Sequence, residues 1–282
     1  MLNVNGTLVN SATGQLAIDN RGYAFGDALF ETLKVLDSKI LFWEDHYFRL
    51  MASMRILRME IPMNFTMEYL EQEILKTIEV NGLSQQAARV KLTVDRGEGG
   101  KYMPLKQVVN FSIVAEALDT QLYAIPDDFK YTVDLYKDYF VAPGLLSTLK
   151  TNNKIINVLG SIFADENRLD NCLLLNTNKQ VIEALNGNLF LVKGQTVKTP
   201  PLEDGCLKGI MRKQLIEFIN KDDSLELEEA SISPFELQQA DELFITNVIT
   251  GLQPVTNYRK KIYEQKVARA LLIKLNAKLR LS

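Results

Sequence analysis

The chain has 282 residues, 46% apolar and 24% charged, with a net charge of −3. That profile is a globular one with room for two cores, and the lack of clustered positive charge argues against a general nucleic-acid grip. Two cysteines and a single histidine exclude a disulfide framework and a multi-histidine metal site. No apolar run approaches the roughly 18 residues of a membrane span. Met1-Leu2-Asn3-Val4 is not a signal peptide, so a cytoplasmic protein is expected.

In chain order, residues 2–9 read as a hairpin turning at Asn5-Gly6. Arg21 to Asp27 reads as a glycine-punctuated loop, and Phe30 to Leu36 as a strand. Trp43 to Leu57 reads as a helix, with Trp43, Tyr47, Leu50, Met51 and Met54 at helical spacing. On this pattern alone, His46 is expected at a helix surface or domain edge. Acid–base chemistry then falls to Lys, Glu, Asp, Tyr or a cofactor. Met67 to Val80 is a second amphipathic helix, closed by Asn81-Gly82. Ala88 to Val94 and Val108 to Ala115 read as strands flanking the loop Arg96 to Lys101.

The pattern weakens from Glu116 to Pro126, which sets expected domains at 1–118 and 119–282. Beyond it, Tyr131 to Leu135 reads as a strand. Ile155 to Arg168 reads as a helix with Ile155, Ile156, Leu159, Ile162 and Phe163 on one face. Strands follow at Cys172 to Leu175, Gln180 to Glu183, Asn188 to Lys193 and Thr196 to Thr199. Gly209 to Ile219 is a helix, Leu225 to Glu229 and Glu242 to Thr246 are strands, and Tyr263 to Leu279 is a final helix. Strands and helices mix without strict alternation, so the fold class is α+β, or mixed α/β.

Three positions in the second half carry a candidate chemistry. Lys150 follows the mostly apolar stretch from Val141 to Leu149, and a lysine emerging from a buried approach suits attack on an aldehyde. Glu183 ends a strand, where a carboxylate can keep a pyridine nitrogen protonated, and Asn188 can fix the adjoining turn. Gly209-Ile210-Met211-Arg212 opens a helix, whose first amides and dipole favour an anion. Reactive amine, acid partner and phosphate site are what pyridoxal 5′-phosphate requires. Arg49 can add charge at the phosphate, and Thr246-Asn247 can add polar contacts.

These segments together resemble the fold-type IV pyridoxal-phosphate enzymes, the class IV aminotransferase family. The resemblance rests on an ordered set covering nearly the whole chain. It comprises Phe25-Gly26-Asp27 with Phe30-Glu31, His46 to Leu50, Lys150, Val181 to Glu183 with Asn188 to Phe190, Gly209 to Arg212, and Asp241 to Phe244 leading to Pro254-Val255. It implies a two-domain D-amino-acid aminotransferase-like fold with the cofactor between domains, and a homodimer. It implies that Lys150 bonds the cofactor aldehyde and Glu183 partners the ring nitrogen. Arg49 and the amides of Ile210 and Met211 would then hold the phosphate.

Among relatives, the D-amino-acid enzymes carry an Arg-x-His pair after the Arg-Gly loop. This chain runs Arg96 to Tyr102 without histidine, and the tyrosine those enzymes place before their Glu is Phe30. Branched-chain enzymes favour threonine where Met211 stands. Arg-Gly-x-Gly-Gly followed by a basic residue, Gly-Ile-Met-Arg, and Thr246-Asn247 before Pro254-Val255 are similar to the aminodeoxychorismate lyases. Lys101 in place of arginine, and Gln253 before Pro254, depart from that pattern. The resemblance therefore implies a lyase giving 4-aminobenzoate and pyruvate, with Phe30, Arg96 and Lys101 meeting a small amine and carboxylate substrate. The alternatives are transamination of branched-chain or D-amino acids, and a non-catalytic scaffold. The presence of both Lys150 and Glu183 argues against the scaffold. No metal, nucleic-acid or membrane partner is expected.

Overall fold

The computed structural model describes residues 1–12 and 14–281. Their contacts gather into two compact units, Met1–Gln121 with Lys150–Asn153, and Leu122–Leu149 with Lys154–Ser282.

Among the described residues, the first unit is a six-stranded antiparallel sheet with three helices. Strands β1 (Leu2–Val4) and β2 (Thr7–Val9) form the expected hairpin. A five-residue helix α1 (Arg21–Phe25) follows, where the sequence pattern suggested only a loop. Asn20 caps it by accepting from the Tyr23 amide, and Gly26 closes it at φ 65°, the left-handed region that favours glycine. Next come β3 (Ala28–Leu36), β4 (Lys39–Ile40), α2 (Trp43–Ile56), α3 (Met67–Val80), β5 (Ala88–Asp95) and β6 (Asn110–Ala117). The strand order is β2-β1-β6-β5-β3-β4.

The two-residue period of β5 decides what each sheet face does. Val90, Leu92 and Val94 are fully buried, while Arg89, Lys91 and Thr93 between them are half-buried. Register pairs Leu33 with Val90, Glu31 with Leu92 and Leu29 with Val94, so Glu31 stands in the apolar face. Phe30 with Thr93, Thr32 with Lys91, and Lys34 with Arg89 make the opposite, polar face. The segment Lys150–Asn153 joins this unit along β3. The Phe30 amide donates to the Lys150 carbonyl at 2.9 Å, and the Asn152 amide to the Ala28 carbonyl at 3.0 Å.

The second unit contains β7 (Thr132–Val141), α4 (Ile155–Glu166), β8 (Asn171–Asn176), β9 (Val181–Ala184), β10 (Gly187–Lys193), β11 (Thr196–Thr199), α5 (Ile210–Ile219), β12 (Glu226–Glu229) and α6 (Glu236–Gln239). It ends with β13 (Glu242–Asn247), β14 (Gly251–Val255), β15 (Asn257–Tyr258), β16 (Lys261–Ile262) and α7 (Lys266–Leu281). Its ten-stranded sheet is mixed: β7 runs parallel to β8 and β15, β11 runs parallel to β12, and the other pairs are antiparallel. Strand β8 is buried at every position, which explains the unbroken apolar run Cys172 to Leu175.

Helix α4 corrects one expectation. Ile156, Leu159 and Phe163 pack on the core around Tyr136, Cys172 and Leu174, but Ile155 and Ile162 do not join them. Those two are 66% and 50% exposed and share an outward face with Val158. Among the described residues, no helix is long and apolar enough to cross a membrane.

Candidate active site

In the first unit, Lys150 is held by its own backbone pairing with β3, which sets its side chain over the polar sheet face. Its Nζ lies 4.4 Å from the centroid of the Phe30 ring. Lys91, from the same face of β5, brings its Nζ to 4.9 Å from that centroid. Two ammonium groups therefore flank one aromatic ring, an arrangement that favours cations. Lys91 was not among the expected site residues. Lys34, on the same face and 1% exposed, has its ammonium pushed down to about 8 by burial. The face that carries Phe30 is thus polar and cationic.

Behind it, on the α2 side of β3, Glu31 is 1% exposed and takes three hydrogen bonds. Arg49 grips it through two nitrogens, Nε to Oε1 at 2.8 Å and Nη2 to Oε2, and His46 Nδ1 meets Oε2 at 2.6 Å. Burial alone would raise the Glu31 pKa. The Arg49 charge and then the His46 bond outweigh it and hold the carboxyl well below the usual range. His46 is wholly buried, not at a surface or edge as its sequence setting suggested. Burial lowers its pKa despite Glu31, with Arg49 and Lys150 adding to the lowering.

The loop expected to read a substrate carboxylate divides into two parts. Arg96 is 7% exposed, and its guanidinium donates to the carbonyls of Leu57 and Arg58, to Gln107 and to Asp27 Oδ2. It is committed to holding the loop's own architecture rather than facing outward. Arg21, absent from the expected set, shares that work. It bonds Asp27 Oδ2 at 2.9 Å and the carbonyls of Gly99, Lys101 and Tyr102. Lys101 is exposed at the loop tip, and of the loop's two cations it is the one facing solvent.

In the second unit, β9 and β10 place Glu183 directly opposite Asn188. Glu183 Oε2 accepts from the Leu207 amide at 2.8 Å, and Asn188 Nδ2 donates to the Leu207 carbonyl at 2.8 Å. One hairpin thus grips both peptide groups of Leu207, three positions before α5. Gly209 then begins that helix with no side-chain cap, leaving the amides of Ile210 and Met211 as donors at its positive end. A Cβ at Gly209 would lie 2.0 Å from Asn188 Oδ1, so a side chain there would have to displace Asn188. Arg212, 5% exposed, anchors the helix to the Pro200 carbonyl and Glu229. Thr246 and Asn247 direct their side chains to their own turn: Thr246 Oγ1 donates to the Gly251 carbonyl, and Asn247 Oδ1 accepts from the amides of Ile249 and Thr250.

The donor sets fit a phosphorylated pyridine aldehyde. An uncapped helix start whose first residue bears no side chain suits a phosphate, and a carboxylate fixed at a strand end suits a pyridine nitrogen. In the first unit, taken by itself, a lysine held over an aromatic ring is an amine of the kind such an aldehyde bonds. Among the described residues, no cluster of three or more His, Cys, Asp or Glu could hold a metal.

The chain is similar to several known proteins along most of its length. Over 276 residues the chain is 28% identical to a Methanocaldococcus jannaschii protein provisionally named a branched-chain-amino-acid aminotransferase, covering 98% of this chain and 93% of that one. It is 26% identical over 246 residues to the aminodeoxychorismate lyase of Vibrio harveyi, covering 85% of this chain and 86% of that one. Its fold matches the crystal structure of 4-amino-4-deoxychorismate lyase from Pseudomonas aeruginosa with a TM-score of 0.83 at 27% identity, over 99% of both chains. Residues 28–258 match the family described as amino-transferase class IV. The chain belongs to the class IV aminotransferase family, mixed α/β enzymes that depend on pyridoxal 5′-phosphate.

Proposed function

We propose that this enzyme is a lyase that converts 4-amino-4-deoxychorismate into 4-aminobenzoate and pyruvate. The observation that carries the reading is the second cation, Lys91, beside Lys150 on the Phe30 ring. A chorismate-like substrate brings two carboxylates, and each is costly to bury unless paired. Lys91 and the exposed Lys101 supply the cations. A branched aliphatic side chain instead calls for an apolar receptacle, and the face made by Thr32, Lys34, Arg89, Lys91 and Thr93 is not one.

In this reading the cofactor, when bound, supplies an aldehyde that bonds amines and a ring that accepts electrons. Its phosphate would be held by Arg49 of the first unit and by the amides of Ile210 and Met211 of the second. Glu183 holds a proton on the ring nitrogen by charge pairing. Lys150, once its amine is free, would take the proton from the carbon bearing the substrate amine. With the bond to the enolpyruvyl oxygen broken and the six-membered ring aromatic, the proton held by Lys150 would go to the departing group, which leaves as pyruvate, and the unprotonated Lys150 amine would then take back its place from the product amine, freeing 4-aminobenzoate. Phe30 keeps the ammonium of Lys150 against an aromatic face, and Thr246 and Asn247 keep their turn in shape beside the ring partners.

Transamination is the second reading, favoured by the full-length likeness to the M. jannaschii protein. It uses the same lysine and glutamate. A homodimer remains part of the proposal, with the exposed face of α4 at Ile155, Val158 and Ile162 as apolar surface for a second copy to cover. Turnover of aminodeoxychorismate, measured beside a panel of amino-acid and keto-acid pairs, decides the activity. Aminobenzoate release is the expected result. Efficient transamination without aminobenzoate would overturn the lyase and leave the cofactor assignment standing.

A further inference from the structure

Resting on the reading that Arg49 holds the cofactor phosphate, we propose that Glu31 and His46 are positioning residues that aim the Arg49 guanidinium at it. Glu31 takes one edge of that planar group, through Nε and Nη2. A guanidinium carries its five N–H bonds in one plane, so gripping one edge fixes where the other edge points. The grip is itself fixed, because His46 Nδ1 holds Oε2 from the next turn of α2.

The histidine is informative because an apolar ring would fill its place more cheaply. Glu31 is ionised and can only accept, so Nδ1 carries the hydrogen of the contact. His46 Nε2 is then an acceptor, buried and with no hydrogen-bond partner in the structure. Burying an unsatisfied nitrogen costs stability. What the histidine supplies in return is the Nδ1 bond that locks the Glu31 carboxylate. The charged groups bearing on it are Glu31 from β3, Arg49 from α2 and Lys150 from its crossing segment. Ionised Glu31 also neutralises Arg49. If that were its whole effect, it would weaken the attraction for an anion. Positioning and neutralisation therefore predict opposite signs when the carboxylate is removed.

The test strips the cofactor and titrates pyridoxal 5′-phosphate back by absorbance, with the 31P resonance of the bound phosphate as a second readout. It compares Glu31→Gln, Arg49→Lys and the double variant, each checked for folding by thermal melting. Positioning predicts that Glu31→Gln raises Kd by about tenfold or more, the scale of a charge-assisted contact. It shifts the 31P resonance as Arg49→Lys does, and it adds little in the double variant, because the fork is already gone. Unchanged or tighter binding in Glu31→Gln would overturn the proposal, as would effects that simply multiply in the double variant. If Glu31→Gln does not fold, His46→Gln is measured by the same criteria, with a smaller loss expected and unchanged affinity overturning. Wild-type affinity in Arg49→Lys would instead remove the phosphate role of Arg49, and this proposal with it.

Discussion

In the proposed reaction Lys150 both bonds the cofactor and moves a proton, so its replacement is the most damaging at the residue scale. Lys150→Ala is expected to lose cofactor absorbance and essentially all turnover. Mass spectrometry after borohydride reduction should find the cofactor on the Lys150 peptide; finding it on Lys154 would overturn the assignment. Glu183→Gln keeps the contact to the Leu207 amide through its remaining oxygen. It should bind cofactor yet slow the chemical step strongly, because an amide cannot hold the ring proton by charge. Near-normal single-turnover rates would give the nitrogen another partner. Lys91→Ala should raise KM by about tenfold or more, since a charge-assisted contact is worth roughly 1.5–3 kcal/mol, and should leave cofactor affinity alone. An unchanged KM removes Lys91 from the substrate. The placement of Glu183 and Asn188 was legible because both lie on one hairpin, where they stand opposite each other. Lys91 was only half legible: its alternation with Val90 and Leu92 puts it on the polar face, but nothing local brings that face to Lys150. His46 lies three residues after Trp43 and four before Leu50, within the buried stripe of α2. Its polarity hid that, and its partner Glu31 lies on a different element.

Elements with a clear period matched their sequence signals within a few residues, as in α2, α3 and β5. Those carried by capping or edge position did not. Helix α1 is too short to show a period and exists through Asn20 and Gly26. Strand β14 contains Gly251 and Pro254, residues that ordinarily argue against a strand. It pairs only with β13, and an edge strand tolerates a proline. At the start of α5, Gly209 leaves no room for a side chain unless Asn188 moves. Gly209→Ala would force Asn188 away from the Leu207 carbonyl. Overpacking of this kind costs about 1–3 kcal/mol. The expected result is a melting temperature lowered by several degrees and weaker cofactor binding, read by calorimetry and cofactor titration. A variant unchanged in both would show that the hairpin relaxes around the added methyl.

At the scale of the whole molecule, the chain enters its first unit twice. The second visit, Lys150–Asn153, is four residues pairing along β3, too short to carry a pattern, so a single boundary near residue 119 is all that composition suggests. The two units also differ in how they meet acid. In the first, His46 is buried neutral with its pKa below the ordinary 6.5, and Glu31 is lowered from 4.5 to about 2. Below pH 6.5 the unfolded chain takes a proton at His46 that the folded one refuses. Below 4.5 it takes another at Glu31, until the folded carboxyl titrates near 2. Both differences mean that the unfolded state binds more protons, so stability falls as pH falls. The lowered carboxyls of the second unit, Asp222 and Glu236, sit half-buried in ion pairs that reach solvent, where screening blunts their effect. The single tryptophan, Trp43, lies on α2 at 8% exposure and reports on the first unit alone. On acidification its emission should shift red at a higher pH than the loss of far-UV helical signal, to which α4, α5 and α7 contribute. Glu31→Gln should be less stable at neutral pH and should flatten the Trp43 transition between pH 4.5 and 2. Coincident loss of both signals, at a pH that Glu31→Gln does not move, would show that the Glu31 and His46 pair does not govern acid stability.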